Sequence, residues 1–126
     1  MAALEYGDLT GDIIAAAIEV HRALGPGFIE SIYENALVIE LRRKGLSVAQ
    51  QVEVEIEYAG VPVGTHRLDL LVENTIIIEL KTIKNIDEIH FAILRSYLKA
   101  MGKEHGLILN FAKVTLEVKR VRYQPN

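Results

Sequence analysis

The chain has 126 residues, 50% of them hydrophobic, and 14 Lys and Arg against 17 Asp and Glu give a formal net charge of −3. That length suits a single domain over residues 1–126 with one sizeable core, and a mean hydropathy of +0.20 excludes a disordered chain. The absence of cysteine excludes disulfides and thiolate chemistry, and with no long apolar run and no basic-then-apolar leader the expectation is a cytoplasmic protein without a membrane span.

A first helix is predicted over residues 10–24. Thr10 is its candidate N-cap, and Ile13, Ile14, Ala17, Ile18, His21 and Leu24 recur at helical spacing before Gly25-Pro26-Gly27 ends it. His21 falls on the apolar stripe and reads as a satisfied core histidine. A second helix runs from about Ile29 to Lys44, with Gly45 as its C′ residue and a stripe of Ile29, Ile32, Tyr33, Ala36, Leu37 and Leu41. Glu30 and Glu34 flank Tyr33 at spacings of three and one. Acidic residues in a first turn favour the helix dipole whatever else they do.

From Ser47 the period becomes two. Val52, Val54, Ile56 and Tyr58 alternate with Gln51, Glu53, Glu55 and Glu57, as in a half-buried strand with an acidic outer face, and Gly60-Val61-Pro62-Val63-Gly64 is the predicted turn. Arg67 to Lys81 then reads as a hairpin of two apolar runs around a polar tip at Glu73-Asn74. Asp69, Glu79 and Lys81 interrupt those runs. Glu79 and Lys81 share a face because strand side chains alternate. A three-residue loop of Glu73, Asn74 and Thr75 would pair Val72 with Ile76 and bring Asp69 opposite Glu79. A two-residue loop would send the carboxylates to opposite faces.

Asn85 is the candidate cap of a third helix carrying Ile86, Ile89, His90, Ile93, Leu94, Tyr97, Leu98 and Met101, which stops at Gly102. Gly106 to Phe111 is a short buried strand, and Val114 to Tyr123 a final alternating one whose edge could pair with a second copy in a homodimer. The order α-α-β-β-β-α-β-β describes one mixed-sheet α/β domain.

Burying two carboxylates and an ammonium among aliphatic side chains costs several kcal/mol per ion unless something pairs with them. A divalent cation held by Asp69 and Glu79 beside Lys81 offsets that cost, and so does a plain salt bridge from Lys81. No nucleophile elbow, phosphate-binding Gly-rich loop or His-Glu-x-x-His motif is present, and the four histidines lack metal-ligand spacing. Local basic clusters at Arg42-Arg43-Lys44, Lys81 with Lys84, and Lys119-Arg120 with Arg122 read as solvated faces, or as a phosphate-tracking surface if they converge.

Asp69 followed by Glu79-x-Lys81, with an αβ unit on either side, resembles the PD-(D/E)XK nuclease superfamily. Gly27-x-x-Glu30-x-x-Tyr33 resembles the signature of its small GxxExxY proteins, as do Ile14 to Arg22, Arg67 to Val72, Ile78 to Lys81 and Leu109-Asn110-Phe111, so that the likeness covers about residues 10 to 122. The resemblance implies an α/β (α+β), restriction-endonuclease-like core of order αβββαβ with an extra N-terminal helix and C-terminal strand, one mixed sheet flanked by helices.

It further implies a metal-dependent nuclease acting on DNA or RNA. Asp69, Glu79 and the backbone carbonyl of Leu80 would hold Mg²⁺ or Mn²⁺, and Glu30 would reach the ion through water. Lys81 would orient the attacking water and stabilise the transition state. Tyr33, Arg67, His90 and Asn110 are candidate site-lining residues. One departure stands out: related proteins carry glutamine on the third helix where this chain has Ile93, which makes a nucleic-acid or protein binder without turnover the alternative.

Overall fold

In the computed structural model, which describes residues 6–125, the elements are α1 (Gly7–Leu24), α2 (Glu30–Arg43), β1 (Val48–Tyr58), β2 (Val61–Val72), β3 (Ile76–Lys81), α3 (Glu88–Met101), β4 (His105–Asn110) and β5 (Glu117–Arg122). The strands form one sheet in the order β1-β2-β3-β4-β5, parallel between β3 and β4 and antiparallel elsewhere. The parallel step needs a crossover, which α3 provides. The sheet is thus mixed, with helices on both faces, as expected.

Two apolar clusters result. On one face Ile13, Ala17, Tyr33, Leu37 and Leu41 of α1 and α2 pack against Leu70, Val72, Ile78, Leu80, Leu107 and Leu109. On the other, Leu94 and Leu98 of α3 cover Val54, Leu68, Leu71, Ile77, Ile108 and Val121. The strands near the middle of the sheet are buried from both sides, which is why their sequences are apolar runs without alternation. At Gly106 a Cβ would lie 2.9 Å from Leu94 Cδ2, so glycine is what lets α3 approach β4 this closely.

Several local expectations are corrected. Thr10 is no cap: it lies inside α1, which begins at Gly7, and its Oγ1 donates back to the carbonyls of Tyr6 and Gly7. The cap of α3 is Asp87, not Asn85, and His90 occupies the N3 place of a capping box. The turn after β1 is Ala59-Gly60, with φ of 53° and 77°, so Val61 to Gly64 already belong to β2. Two adjacent left-handed residues match the twist of a tight hairpin, and a register shift at Ile56/Glu57 absorbs the extra residue. The last strand begins at Glu117 because Val114 is exposed rather than alternating into the sheet. On α2 the buried face is Tyr33, Glu34, Leu37, Val38 and Leu41, while Ile29, Ile32 and Ile39 face outward. Periodicity located the helix but not its rotation, since apolar residues nearly encircle it.

One irregularity matters for the site. Strict alternation would put Leu68, Leu70 and Val72 on one face, yet Leu70 and Val72 join the α1/α2 cluster and Leu68 joins the α3 cluster. The strand turns over at Asp69. β1 turns over at the same level: Val48 packs with the first cluster, Val52 and Val54 with the second, and Gln51 between them has φ 54°. The pairs Gln50↔Leu70 and Val52↔Leu68 place Gln51 across from Asp69. Left-handed backbone at a residue other than glycine is strained, and such strain concentrates at functional positions.

Candidate active site

The hairpin loop has three residues. Val72 pairs with Ile76, Leu71 with Ile77 and Leu70 with Ile78, so the next step of the register sets Asp69 across from Glu79. At that step side chains replace the backbone ladder. Asp69 N–H donates to Glu79 Oε2 at 3.1 Å, and Leu80 N–H donates to Asp69 Oδ2 at 2.9 Å. Each carboxylate therefore fills the gap opened where β2 leaves β3, and each satisfies a backbone donor of the opposite strand. The other oxygen of each makes no hydrogen bond among the described residues and stays in contact with solvent.

Glu79 is only 7% exposed. Burial, and then the neighbouring charge of Asp69, push its carboxyl up to about 8 despite the hydrogen bond from Asp69 N–H and the charge of Lys81. Burial likewise raises Asp69, with Glu34 and Glu30 adding to it and the Leu80 hydrogen bond opposing it. The two groups compete for one negative charge in a poorly solvated seam. Lys81 is near enough to favour both ionised forms, yet no ion pair within 4.0 Å joins it to either carboxylate among the described residues. The plain salt-bridge explanation of the three charges therefore fails.

Glu30, the first residue of α2, accepts from Thr82 N–H at 3.2 Å, which brings it to the end of β3 one residue beyond Lys81. The turn before it is fixed by Tyr33. The buried Tyr33 hydroxyl donates to Gly25 O at 2.6 Å and accepts from Phe28 N–H at 3.2 Å, and its ring stacks on Phe111 at 4.5 Å. Gly25 and Gly27, at φ 75° and 111°, make the backbone path that this latch closes. Tyr33 is thus a core residue that positions the start of α2, and so Glu30.

The remaining expected residues hold other structure. His90 Nδ1 accepts from Asp87 N–H at 2.8 Å and caps α3. Arg67 lies 3.6 Å from Glu53 across the β1–β2 hairpin, both side chains exposed. Asn110, fully buried, bonds both N–H and C=O of Ile83 and accepts from Ala112 N–H, while its amide also reaches Glu117. It shapes the loop that follows Lys81. His21 is the satisfied core histidine the sequence suggested, its Nε2 2.8 Å from Lys113 O.

Sequence reasoning gave three neighbours of the site no part in it, reading Glu34 only as a helix-dipole residue. Glu34, 7% exposed, accepts from the side-chain amides of Gln50 and Gln51 at 2.7–3.0 Å, and its charge reaches Asp69. Its i+4 spacing from Glu30 was the available signal. Tyr97 of α3 stacks on His66 of β2 at 4.1 Å, and the charges of Glu79 and Asp69 reach its phenol. No sequence spacing links those two rings.

Could this arrangement hold a cation? Among the described residues no three His, Asp or Glu side chains converge on one point. Mg²⁺ does not need three, because it keeps most of its water and takes one or two carboxylates. Two carboxylates with a free oxygen apiece, in a seam where their mutual repulsion favours binding a positive charge, fit that demand.

Comparison with known proteins agrees with the geometry. Residues 7–121 match the PD-(D/E)XK nuclease superfamily. The chain belongs to that superfamily. Nucleases of the superfamily generally use divalent metals. Among solved structures the chain is similar to SSO0001, with a TM-score of 0.61 and 21% identity, covering 96% of this chain and 61% of that one. It is also similar to the alkaline exonuclease LHK-Exo from Laribacter hongkongensis, with a TM-score of 0.55 and 13% identity, covering 98% of this chain and 73% of that one. At these identities the likeness shows the fold. The chain spans less than two thirds of the length of SSO0001. Among curated proteins none matches the chain significantly in sequence.

Proposed function

We propose that this protein is a metal-dependent nuclease that hydrolyses phosphodiester bonds in nucleic acid, of the GxxExxY kind within its superfamily. The observation that carries the reading is the Asp69–Glu79 pair: two carboxylates facing each other at the open seam of β2 and β3, each with one oxygen unbonded, with Lys81 close but not paired. Asp69, Glu79 and the Leu80 carbonyl would hold Mg²⁺ or Mn²⁺, with Glu30 reaching it through water. Once bound, the cation supplies positive charge that polarises a phosphate oxygen and makes its water more acidic.

The chain's own residues do the rest. In hydrolysis the oxygen of one water adds to phosphorus as one bridging P–O bond breaks; the water gives a proton to solvent, and the leaving oxygen takes one from solvent to end as a hydroxyl. Lys81, on the same face as Glu79, holds the attacking water and meets the negative charge that grows on the phosphoryl oxygens. Hydrogen bonds from Leu80 and Asp69 N–H keep the carboxylates from swinging away, and the Tyr33 latch fixes Glu30.

The test is cleavage of single- and double-stranded DNA and RNA with Mg²⁺ or Mn²⁺. Wild type should cleave at least one of them, and Lys81→Ala should lower the rate on the order of 10²–10³-fold or more. Mg²⁺ should raise the Tm of wild type but not of Asp69→Asn. Cation binding without cleavage of any substrate would leave the protein as a binder that does not turn over.

A further inference from the structure

A line of aromatic rings runs outward from the end of β3. Phe111 N–H donates to Lys81 O at 2.9 Å, which fastens the residue after β4 to the last residue of β3. The Phe111 ring stacks on Tyr33 at 4.5 Å, and the Tyr33 ring meets that of Phe28 at 6.1 Å and 67°. Phe111 and Tyr33 are fully buried, whereas Phe28 is 45% exposed. The outermost ring is seated on protein on one side and open to solvent on another.

The backbone ties Phe28 to the same place. Its N–H donates to the Tyr33 hydroxyl at 3.2 Å, and two residues on Glu30 accepts from Thr82 N–H at 3.2 Å. Two residues span at most about 7 Å, so the ring stands beside the end of β3 and is held there. Ile29, between them, is 67% exposed and occupies the N-cap place of α2 with no side-chain hydrogen bond. Ser, Thr, Asp or Asn would serve the helix better there. An exposed isoleucine in a cap place helps neither helix nor core, and rules broken without structural return mark functional surface.

On the other side of Thr82 the chain is pinned again. Asn110 bonds the N–H and C=O of Ile83 at 3.1 and 2.9 Å. Lys84 follows, exposed and without an ion pair among the described residues. An aromatic ring and an ammonium thus flank the end of β3, each on a fixed backbone. The net charge of −3 gives the molecule no general pull on phosphate, so local contacts must supply the grip. A base offers its face to a protein ring where it is unpaired, and any base will do.

We propose that Phe28 stacks an unpaired base and Lys84 holds a phosphate of the same strand, so that the site takes single-stranded nucleic acid in preference to intact duplex. The proposal rests on the nuclease reading above for what happens to the bound strand. Ile29 widens the apolar footing under the base. Stacking reads no sequence, and an intact duplex keeps its base faces to itself.

The test is anisotropy of fluorescein-labelled single strands of DNA and RNA, and of the matching duplexes, with Ca²⁺ in place of Mg²⁺, beside cleavage of the same four with Mg²⁺ or Mn²⁺. Wild type should prefer the single strands. Phe28→Ala should weaken their binding about 10-fold and leave duplex binding unchanged, while Phe28→Trp keeps it. Phe28→Leu, which retains an apolar contact with Tyr33, should lose binding as well, which separates stacking from folding. Lys84→Ala should weaken binding a few-fold and lower the slope of log Kd against log salt by about 0.7. Ile29→Ser should raise Tm, by capping α2, and still weaken binding. Moving one abasic position along the strand should find a place where wild type loses affinity and Phe28→Ala loses none. Wild-type binding and cleavage of single strands in both Phe28→Ala and Phe28→Leu would overturn the proposal and leave the nuclease reading intact. Unchanged binding with an altered oligomeric state would also overturn it, making the turn a surface for a second copy. If wild type shows Phe28-dependent binding but cleaves nothing, the nuclease reading fails and the single-strand grip stands. If wild type neither binds nor cleaves, both fail.

Discussion

The two halves of β2 are one strand in sequence and two environments in the fold. From Leu70 to Val72 it pairs with β1 on one side and β3 on the other, and all three side chains are buried. From Val61 to Arg67 it pairs only with β1, and Val61 and Val63 are 60% and 62% exposed. Asp69 stands at the junction. A buried strand interior could not tolerate two carboxylates, because the ladder would leave them no donors and water could not reach them. An exposed arm would tolerate them but could not hold them. At the junction the ladder has opened, backbone N–H groups are free to bind carboxylates, and one oxygen of each still meets solvent. The polar site exists because the strand changes environment there.

That contrast can be broken most directly by paired truncations. Leu70→Ala should cost about 2–5 kcal/mol in urea unfolding, and Val63→Ala within about 0.5 kcal/mol. Equal losses would mean that the arm is packed as firmly as the centre.

The junction itself should show in the pH dependence of stability. A carboxyl raised in the folded state is favoured in its neutral form. The raised pKa of Glu79 therefore makes stability fall as pH climbs from its unfolded value near 4.5 toward about 8, with little further change above. With a chelator present, Glu79→Gln should flatten that slope and be more stable than wild type at pH 8 by a few kcal/mol. Mg²⁺ should flatten the wild-type slope as well. A variant that keeps the full slope would contradict the charge-repelled pair.

Tyr33→Phe removes the latch while keeping the stack on Phe111. It should cost about 1–3 kcal/mol by leaving Gly25 O and Phe28 N–H without their partner. Because Glu30 follows that turn, the Mg²⁺-induced rise in Tm should shrink too. The smallest effect belongs to the arm's tip: Ala59→Asn at φ 53° should stabilise by about 0.5–1 kcal/mol and leave metal response unchanged.

Much of this protein is written locally. Helical and strand periods set the element order, Gly45 and Gly102 the helix ends, and the apolar runs of Leu70–Val72 and Ile76–Leu80 a strand pair covered on both faces. The motif order placed the chain among PD-(D/E)XK nucleases, and Asp69, Glu79 and Lys81 stood out because charges are rare in such runs. Hydrogen-bond partners settled the hairpin register in favour of the three-residue loop, which sequence had left open. Other features depend on who meets whom across the fold. The rotation of α2 that buries Glu34 is decided by the sheet it packs on, not by its own residues. The reversal of β1 and β2 at Gln51 and Asp69 breaks the alternation from which strand faces are read. Tyr97 and His66 are 31 positions apart, on a helix and a strand, and only that reversal stacks them. Local chemistry determined which residues had to be accommodated. Long-range packing decided the one seam where two buried carboxylates find both donors and water.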